Sequence, residues 1–525
     1  MARARKPGDA PLPPTRGPTD TPLYALLTAR RFRLGASTER VARNLALHGG
    51  TVAGDAAAWI GAARPPEDAP SVGLGSFAGT LGPRSFGFVN VHGQVAPLDA
   101  PLPSLPRAGG LGLVVPARDA LPDVAPLALA RGLGLSWIVS VGDGDPAETI
   151  AFLTADLMTS SLGVVLGPGA SGASLRAVLG AKPAVVWGGD SLARAVARRA
   201  GAVVVDGGLS SFLAHVQLFD AGVEPGAAVE VIVVGGGRAY VDDEVRAAAL
   251  EARVVAVDER APDELDAAIA TAAEAKRPVV LVAGTQPAEL PRPPREDGVQ
   301  LLSADLRHPE HLRALLVALA APVVEAESPR TRPRVDKELA ARVRGEIDGP
   351  LSDHDAKRLL KAYGARVTRQ APTNTPTGAV KLAKQIGVPC LIAAAGDERV
   401  ADTLSDVKRI AALMLQSVDG EAPSVMVRER FPEVPRARVK VAAEKGLGAT
   451  MRVGAACALL PLTRADSLAL AAATPARRSA DQRAIADLLT KISACAVDEE
   501  AALEIELYAG AEPAVLSATG ELRRR

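Results

Sequence analysis

The sequence predicts a multidomain α/β protein built on parallel sheets, and three observations lead there. The first is a set of short β-branched runs, LGLVV (111–115), WIVSV (137–141), GVVLG (163–167), PAVVW (183–187) and AVVVD (202–206), separated by Ala-rich amphipathic stretches. Strands that are apolar along their whole length have no wet face, so they belong to sheets covered on both sides, and the intervening helices supply the cover. The second is that the pattern restarts at VEVIVVGGG (229–237), continues through RVVAVDE (253–259) and RPVVLVAG (277–284), and ends in a helix near Ala320. The third is length: 525 residues exceed what one core organises, and about three or four domains are expected.

Composition limits the function. Hydrophobic residues make up 48% and charged residues 23%, with 60 basic side chains against 60 acidic ones. Nothing in that balance draws the chain to nucleic acid or to an anionic membrane. Aromatics are 3%, which leaves the cores to Ala, Val and Leu and supplies no stacking platform for single strands. The opening MARARKPGDAPLPPTRGPTD has no apolar segment behind its basic residues, so residues 1–22 read as a Pro-rich disordered tail rather than a signal peptide. No run approaches the ~18 apolar residues of a membrane span. Cys390, Cys457 and Cys495 are far apart and odd in number. Buried thiols of a cytoplasmic protein fit them better than a disulfide framework or a zinc site.

Beyond residue 320 the texture changes. EAESPRTRPRVDKELAARVRGEIDGP (325–350) is charged and Pro-bearing and reads as a linker. LSDHDAKRLLKAYGARVTRQAPTNTPTGAVKLAKQIGVPC (351–390) predicts two helices around a turn and a short strand, and AGDERVADTLSDVKRIAALML (395–415) a polar turn and a helix. SVMVRER (424–430) reads as a strand, capping boxes at Thr463 to Asp466 and Ser479 to Gln482 open two helices, and ALEIELYAG (502–510) ends in a strand. GGGRAY (235–240), with Asp258 ending the next strand, imitates a dinucleotide fingerprint. Its third glycine position is Tyr240, so it reads as a structural turn.

The order of the pieces says more than any one of them. TLGPRSFGFVNVHG (80–93), GLGLSWIVSVGDGDPAETIAFL (132–153), the block 229–320, LSDHDAKRLLKAYGARVTR (351–369) and LLPLTRADSLAL (459–470) follow one template. In that order the chain resembles, as a degenerate member, the NDP-forming acyl-CoA synthetases: the ADP-forming acetate–CoA ligases related to succinyl-CoA synthetase. The resemblance covers about residues 23–520. It implies a truncated Rossmann-type CoA-binding domain (23–110), two flavodoxin-like domains (111–224 and 225–322), the linker (323–350) and an ATP-grasp-like domain (351–525). It also implies interconversion of acyl-CoA, NDP and phosphate with acid, CoA and NTP. In that chemistry a phosphohistidine carries the phosphoryl group between a CoA-side site and the ATP-grasp site, and CoA and ATP/ADP with Mg²⁺ are the cofactors.

Measured against that template, the reactive parts are missing. The phosphohistidine loop should follow PAVVW, but Gly188-Gly189-Asp190 leads directly into SLARAVARRA. His215, mid-helix in SSFLAHVQLF, reads as a helix-surface or core residue. Gly167-Pro168 stands where the resemblance implies a supporting glutamate, and PARD (116–119) where it implies a phosphate loop. Pro116 lacks an amide donor and Asp119 carries the wrong charge for phosphate. The family's Gly-Pro-Asn-Cys is Gly82-Pro83-Arg84-Ser85 here, and Asn90 is kept. Ala393 stands where the ATP-grasp lysine is implied.

What the resemblance leaves is a CoA side and a metal side. Gly35, Ala36 and Ser37 open a helix whose amides would face CoA phosphates, with Gly82, Pro83, Asn90 and Gly142 as further cofactor-binding positions. Glu504 and Glu506 are two apart on a strand, point to one face, and are the positions where Mg²⁺ ligands are implied. The reading is an acyl-CoA synthetase-like protein impaired in catalysis. Its alternatives are a non-catalytic sensor of CoA, acyl-CoA or nucleotide, and a scaffold subunit pairing with an active homologue or with itself. Neither nucleic acid nor membrane is an expected partner.

Overall fold

The structure, a computed structural model, describes residues 21–28, 31–34, 51–52, 58–61, 70–73, 80–98, 105–116, 128, 131–167, 170–284, 300–321, 333–347, 349–394, 396–417, 423–432 and 435–522. The chain falls into two compact units, Met1–Ala326 and Glu327–Arg525, built on different principles.

The first unit holds three sheets. β1 (Arg31–Leu34), β2 (Thr51–Val52), β3 (Ala58–Gly61) and β4 (Ser71–Gly73) pair in the order β2-β1-β3-β4, all parallel. The second sheet contains β5 (Phe88–Asn90), β6 (Arg107–Pro116), β7 (Gly134–Gly142), β8 (Ser161–Leu166), β9 (Ala184–Gly188) and β10 (Val203–Val205), in the order β10-β9-β8-β6-β7-β5. Its five parallel strands have the flavodoxin-like order, and β5 adds an antiparallel edge against β7. β11 (Val229–Val234), β12 (Ala252–Val257), β13 (Val279–Ala283) and β14 (Leu301–Asp305) repeat that order with four strands, β12-β11-β13-β14.

These strands are apolar because both of their faces are covered. Every residue of β7, β8 and β13 is buried. In β11, Val229, Val231 and Val233 pack with helices Arg238–Ala247 and Pro309–Ala320, while Ile232 packs with helix Pro262–Glu274 on the other side. Each such side chain contributes about 1.5–3 kcal/mol by leaving water, so a polar residue on either face is costly.

The second unit is antiparallel. β15 (Gln370–Thr373), β16 (Cys390–Ala394), β17 (Asp397–Ala401) and β18 (Val425–Glu429) pair as β15-β18-β16-β17, with helices Pro376–Ile386 and Leu404–Ser417 on the core face. β19 (Arg436–Glu444), β20 (Gly448–Val453), β21 (Ala456–Leu459), β22 (Ala501–Tyr508) and β23 (Ala514–Leu522) pair as β21-β20-β19-β22-β23. Their core is shared with helices Lys337–Glu346, Asp353–Ala362, Arg464–Ala472 and Ser479–Asp498. β22 alternates Leu503, Ile505 and Leu507 inward with Glu504 and Glu506 outward, the period expected of a sheet with one wet face.

Three expectations are corrected. Part of the stretch read as a linker is helix Lys337–Glu346, capped by Asp336 and buried through Ala340 and Val343. Its charges fill the outer face, and Arg344 donates from Nε to Oε2 of the buried Glu499 at 2.7 Å. Within the polar turn expected at the start of 395–415, Asp397–Ala401 is strand β17, paired antiparallel with β16 and exposed along most of its length. The capping box at Thr463 and Asp466 forms, but Ser479 is the first helical residue, with Arg478 as N-cap and no side-chain cap.

Within the first unit the two flavodoxin-type sheets meet at a polar seam. Gln217 Nε2 donates to the Ser303 carbonyl at 2.9 Å, and Ser303 Oγ to the Arg131 carbonyl at 3.3 Å. Arg131 is 5% exposed and donates from Nη1 to Ser210 O. Burial lowers its pKa to about 10. His311 is buried and stacked on His308. Desolvation first, then the Arg131 charge and that of His308, lower its pKa to about 4 against the weaker pull of Glu310 and Asp305.

A histidine whose folded pKa lies below its unfolded value binds its proton more readily when unfolded, so stability falls as the pH drops from about 6.5 to about 4. Urea midpoints at about pH 7 and about pH 5 should therefore differ, and His311→Phe should flatten the difference. A slope unchanged by His311→Phe would remove His311 as its source.

Candidate functional site

In an open parallel sheet, ligands bind outside the carboxyl ends of the strands, where the strand order reverses. Here that point lies between β6 and β8, at Pro116 and Gly167. The two strand ends touch: a Cβ on Gly167 would lie 2.6 Å from Pro116 Cβ.

On the β7 side the structure brings together Gly82, Pro83 and Gly142. The cis Gly82–Pro83 turn lies against the turn that ends β7, where Gly142 has φ +64° and a Cβ would sit 2.0 Å from the Pro83 carbonyl oxygen. The amides of this turn are already used, Asp143 N donating to Pro83 O at 2.9 Å and Gly144 N to Val141 O at 3.1 Å. Arg84 closes it with a two-pronged ion pair to Asp143, 2.7 and 2.8 Å. Ser85 Oγ donates to Ser140 O, and Ser140 Oγ to Pro116 O, both from buried side chains.

Asn90 stands apart from that group. It pairs with Trp137 on β7, five residues before Gly142, and its Oδ1 accepts from Gly93 N to close the tight turn after β5. Gly35, Ala36 and Ser37 lie outside the described residues.

The β9 end shows how the helix begins without a loop. Gly188 and Gly189 both have positive φ, and Asp190 accepts from Ala193 N at 2.7 Å to cap helix Ser191–Arg199. Trp187 donates from Nε1 to Gly207 O across the strand ends. His215, half-buried, bonds through Nδ1 to Ser211 O in its own helix. Among the described residues of this edge, Asp190 and His215 are both bonded to backbone.

The second unit brings Glu504 and Glu506 to one face of β22, but each already has a cation from β19. Glu504 is 3.0 Å from Lys440 Nζ and Glu506 is 3.2 Å from Arg436 Nη1. With ammonium and guanidinium in place the pair does not suit a divalent cation, and among the described residues there is no group of three or more His, Cys, Asp or Glu able to hold a metal. Ala393 on β16 pairs with Glu398 and Met426 and brings no charge for a nucleotide. The three thiols are buried, and burial raises the pKa of Cys390 and Cys495. One feature was not anticipated from sequence: the basic stripe of helix Asp353–Ala362, legible as H-x-x-K-R-x-x-K (354–361).

The fold and these strand ends define a chain with two flavodoxin-type sheets followed by a two-sheet antiparallel unit. No protein-family model and no curated protein matches it. Solved structures do. One is dinucleotide forming acetyl-coenzyme A synthetase 1 from Ca. Korarchaeum cryptofilum, in complex with coenzyme A, acetyl-coenzyme A and with a phosphorylated phosphohistidine segment. It is similar at 18% identity and TM-score 0.32, over 36% of this chain and 100% of that one. The same synthetase with phosphate and ADP is similar at 14% and 0.40, over 55% and 94%. A Pyrococcus horikoshii OT3 protein is similar at 13% and 0.42, over 57% and 98%. Among the described residues no helix is long and apolar enough to cross a membrane.

Gly142→Ala should destabilise the first unit by about 2–4 kcal/mol, because a positive φ and a backbone clash act together. Arg84→Ala should cost under about 1 kcal/mol, its ion pair being exposed. Denaturant titration of both variants checks this ranking. Equal losses would mean that the turn is held by the ion pair rather than by glycine.

Proposed function

We propose that the chain is an acyl-CoA synthetase (NDP-forming)-like protein that no longer turns over by phosphohistidine transfer. In this reading the small β1–β4 sheet is a reduced CoA-binding Rossmann-type domain, the next two sheets are the flavodoxin-like pair, and residues 351–525 are ATP-grasp-like. The supporting observation is the β9 end: a Gly-Gly-Asp turn whose carboxylate is spent capping the helix, where the reaction needs a loop carrying a nucleophile. Phosphohistidine transfer divides one difficult step into two through a covalent carrier, and positioning elsewhere does not replace a missing carrier. The spent Ser85 and Ser140 hydroxyls and the Pro116–Gly167 contact point the same way.

What this leaves to the chain is binding. CoA or acyl-CoA would sit on the first unit, with Gly35 to Ser37 presenting amides to its phosphates. The chain would act in the cytoplasm as a sensor, or as a subunit pairing with itself or with an active homologue. The decisive experiment incubates the purified protein with ATP, Mg²⁺, CoA and a panel of short acids, and in the reverse direction with acetyl-CoA, ADP and phosphate. The expected result is no turnover and no acid-labile phosphoprotein, with CoA binding seen by calorimetry. Turnover on the order of 1 s⁻¹, the low end for enzymes, would overturn the loss of catalysis. Absence of CoA binding at millimolar ligand would leave the scaffold role.

A further inference from the structure

The second unit contains a groove of about 620 Å³ between helix Asp353–Ala362, the segment leading into β15, and the end of helix Pro376–Ile386. That volume is in the range of small-molecule sites. One wall is the basic stripe: His354, Lys357, Arg358 and Lys361 all line it, at spacings of three and four that put them on a single helix face. Arg366 and Arg369 add two more cations, and no carboxylate lines the groove. Apolar side chains, among them Val367, Leu382 and Ile386, complete it.

The carboxylates that balance these cations lie outside the lining. Lys357 is 3% exposed and donates from Nζ to Asp353 Oδ2 and Gln370 Oε1, both at 2.9 Å. Arg358 bonds to Glu346, and Arg369 to Glu429. These pairs hold three positive groups in fixed positions. Two groups are less committed. Lys361 Nζ has no hydrogen-bond or ion-pair partner among the described residues, and Arg366, its guanidinium 5.8 Å from the centre of the Phe431 ring, bonds to Glu512 through Nη1, which leaves its Nε and Nη2 edge without a hydrogen-bond partner among the described residues. An edge of that kind and a lysine lining the same groove match an anion with several oxygens.

We infer that this groove binds an organic phosphate, its phosphate held by Lys361 and the open edge of Arg366 and its organic part lying on Val367, Leu382 and Ile386. Multiple separated cations favour a phosphate over a single carboxylate, and the apolar lining favours an organic ester over the inorganic ion. Neither Ala393, where the family resemblance puts a nucleotide lysine, nor Glu504 or Glu506 lines the groove, so it is a separate site.

Calorimetry on the full chain with phenyl phosphate, inorganic phosphate and benzoate tests it. Phenyl phosphate is neither a nucleotide nor a CoA ester, so the result is independent of the acyl-CoA synthetase reading. Phenyl phosphate should bind about tenfold more tightly than either control; Lys361→Glu should weaken it at least about tenfold, and Lys361→Arg should retain it. Lys361 is exposed, so the melting temperature should not move. If it does, Arg366→Gln replaces Lys361→Glu and should show the same loss. No binding of phenyl phosphate at millimolar concentration, equal binding of benzoate, or affinity indifferent to whichever charge variant keeps its melting temperature would each overturn the proposal.

Discussion

Burial of the parallel sheets on both faces is the constraint on which the first unit depends. A strand such as β7, with every residue buried, has no position free for a charged or nucleophilic side chain, since an unpaired polar group there costs several kcal/mol. Chemistry in such a unit has to come from the loops at the strand ends. Among the described residues, several groups at those ends are bonded to one another. Gly142 packs on Pro83, Gly167 on Pro116, Asp190 caps its own helix, and Ser85 and Ser140 bond to backbone. The same groups that could have met a ligand are spent on joining strand ends.

The second unit escapes that constraint because its sheets are antiparallel and one face is wet. Charges can stand on the outer face and find partners across the strands, as Lys440 does with Glu504 and Arg436 with Glu506. Pairs of this exposed kind contribute about 0–1 kcal/mol each, so they are weak evidence for stability. They do matter to function, because a carboxylate held by an ammonium is a poor ligand for a divalent cation. The groove beside helix Asp353–Ala362 differs from this surface in that its cations line one concave space that their carboxylate partners do not line.

These two principles also decide what was legible in the sequence. Runs such as WIVSV and VEVIVV stand out because parallel strands are apolar throughout, and all of them are strands in the structure. β19 alternates instead, RARVKVAAE placing Ala437, Val439 and Val441 inward between exposed Arg436, Arg438 and Lys440. Over so short a span that alternation offers no run to notice, and β17, DERVA, hides the same way on an exposed edge. Helix Lys337–Glu346 was obscured because a helix with only Ala340 and Val343 inside is mostly charge by composition. For the site, the direct passage from β9 through Gly188-Gly189-Asp190 into the next helix was legible as spacing. The engagement of Glu504 and Glu506 was not, because it depends on β19, some 65 residues away in sequence and never read as a strand.

The contact at the switch point is a further constraint at this end of the sheet. A ligand between the ends of β6 and β8 needs those ends apart, yet the Cα of Gly167 approaches the Pro116 ring so closely that any side chain would collide with it. Proline at 116 also withdraws the amide that a phosphate would use. Pro116 thus combines close contact with Gly167 and the lack of an amide donor. At the β9 end the Gly188-Gly189 turn passes directly from strand to helix, with Asp190 accepting from Ala193 N as its cap. At both strand ends the chain's own groups meet one another, through the Pro116–Gly167 contact and through the Asp190 cap.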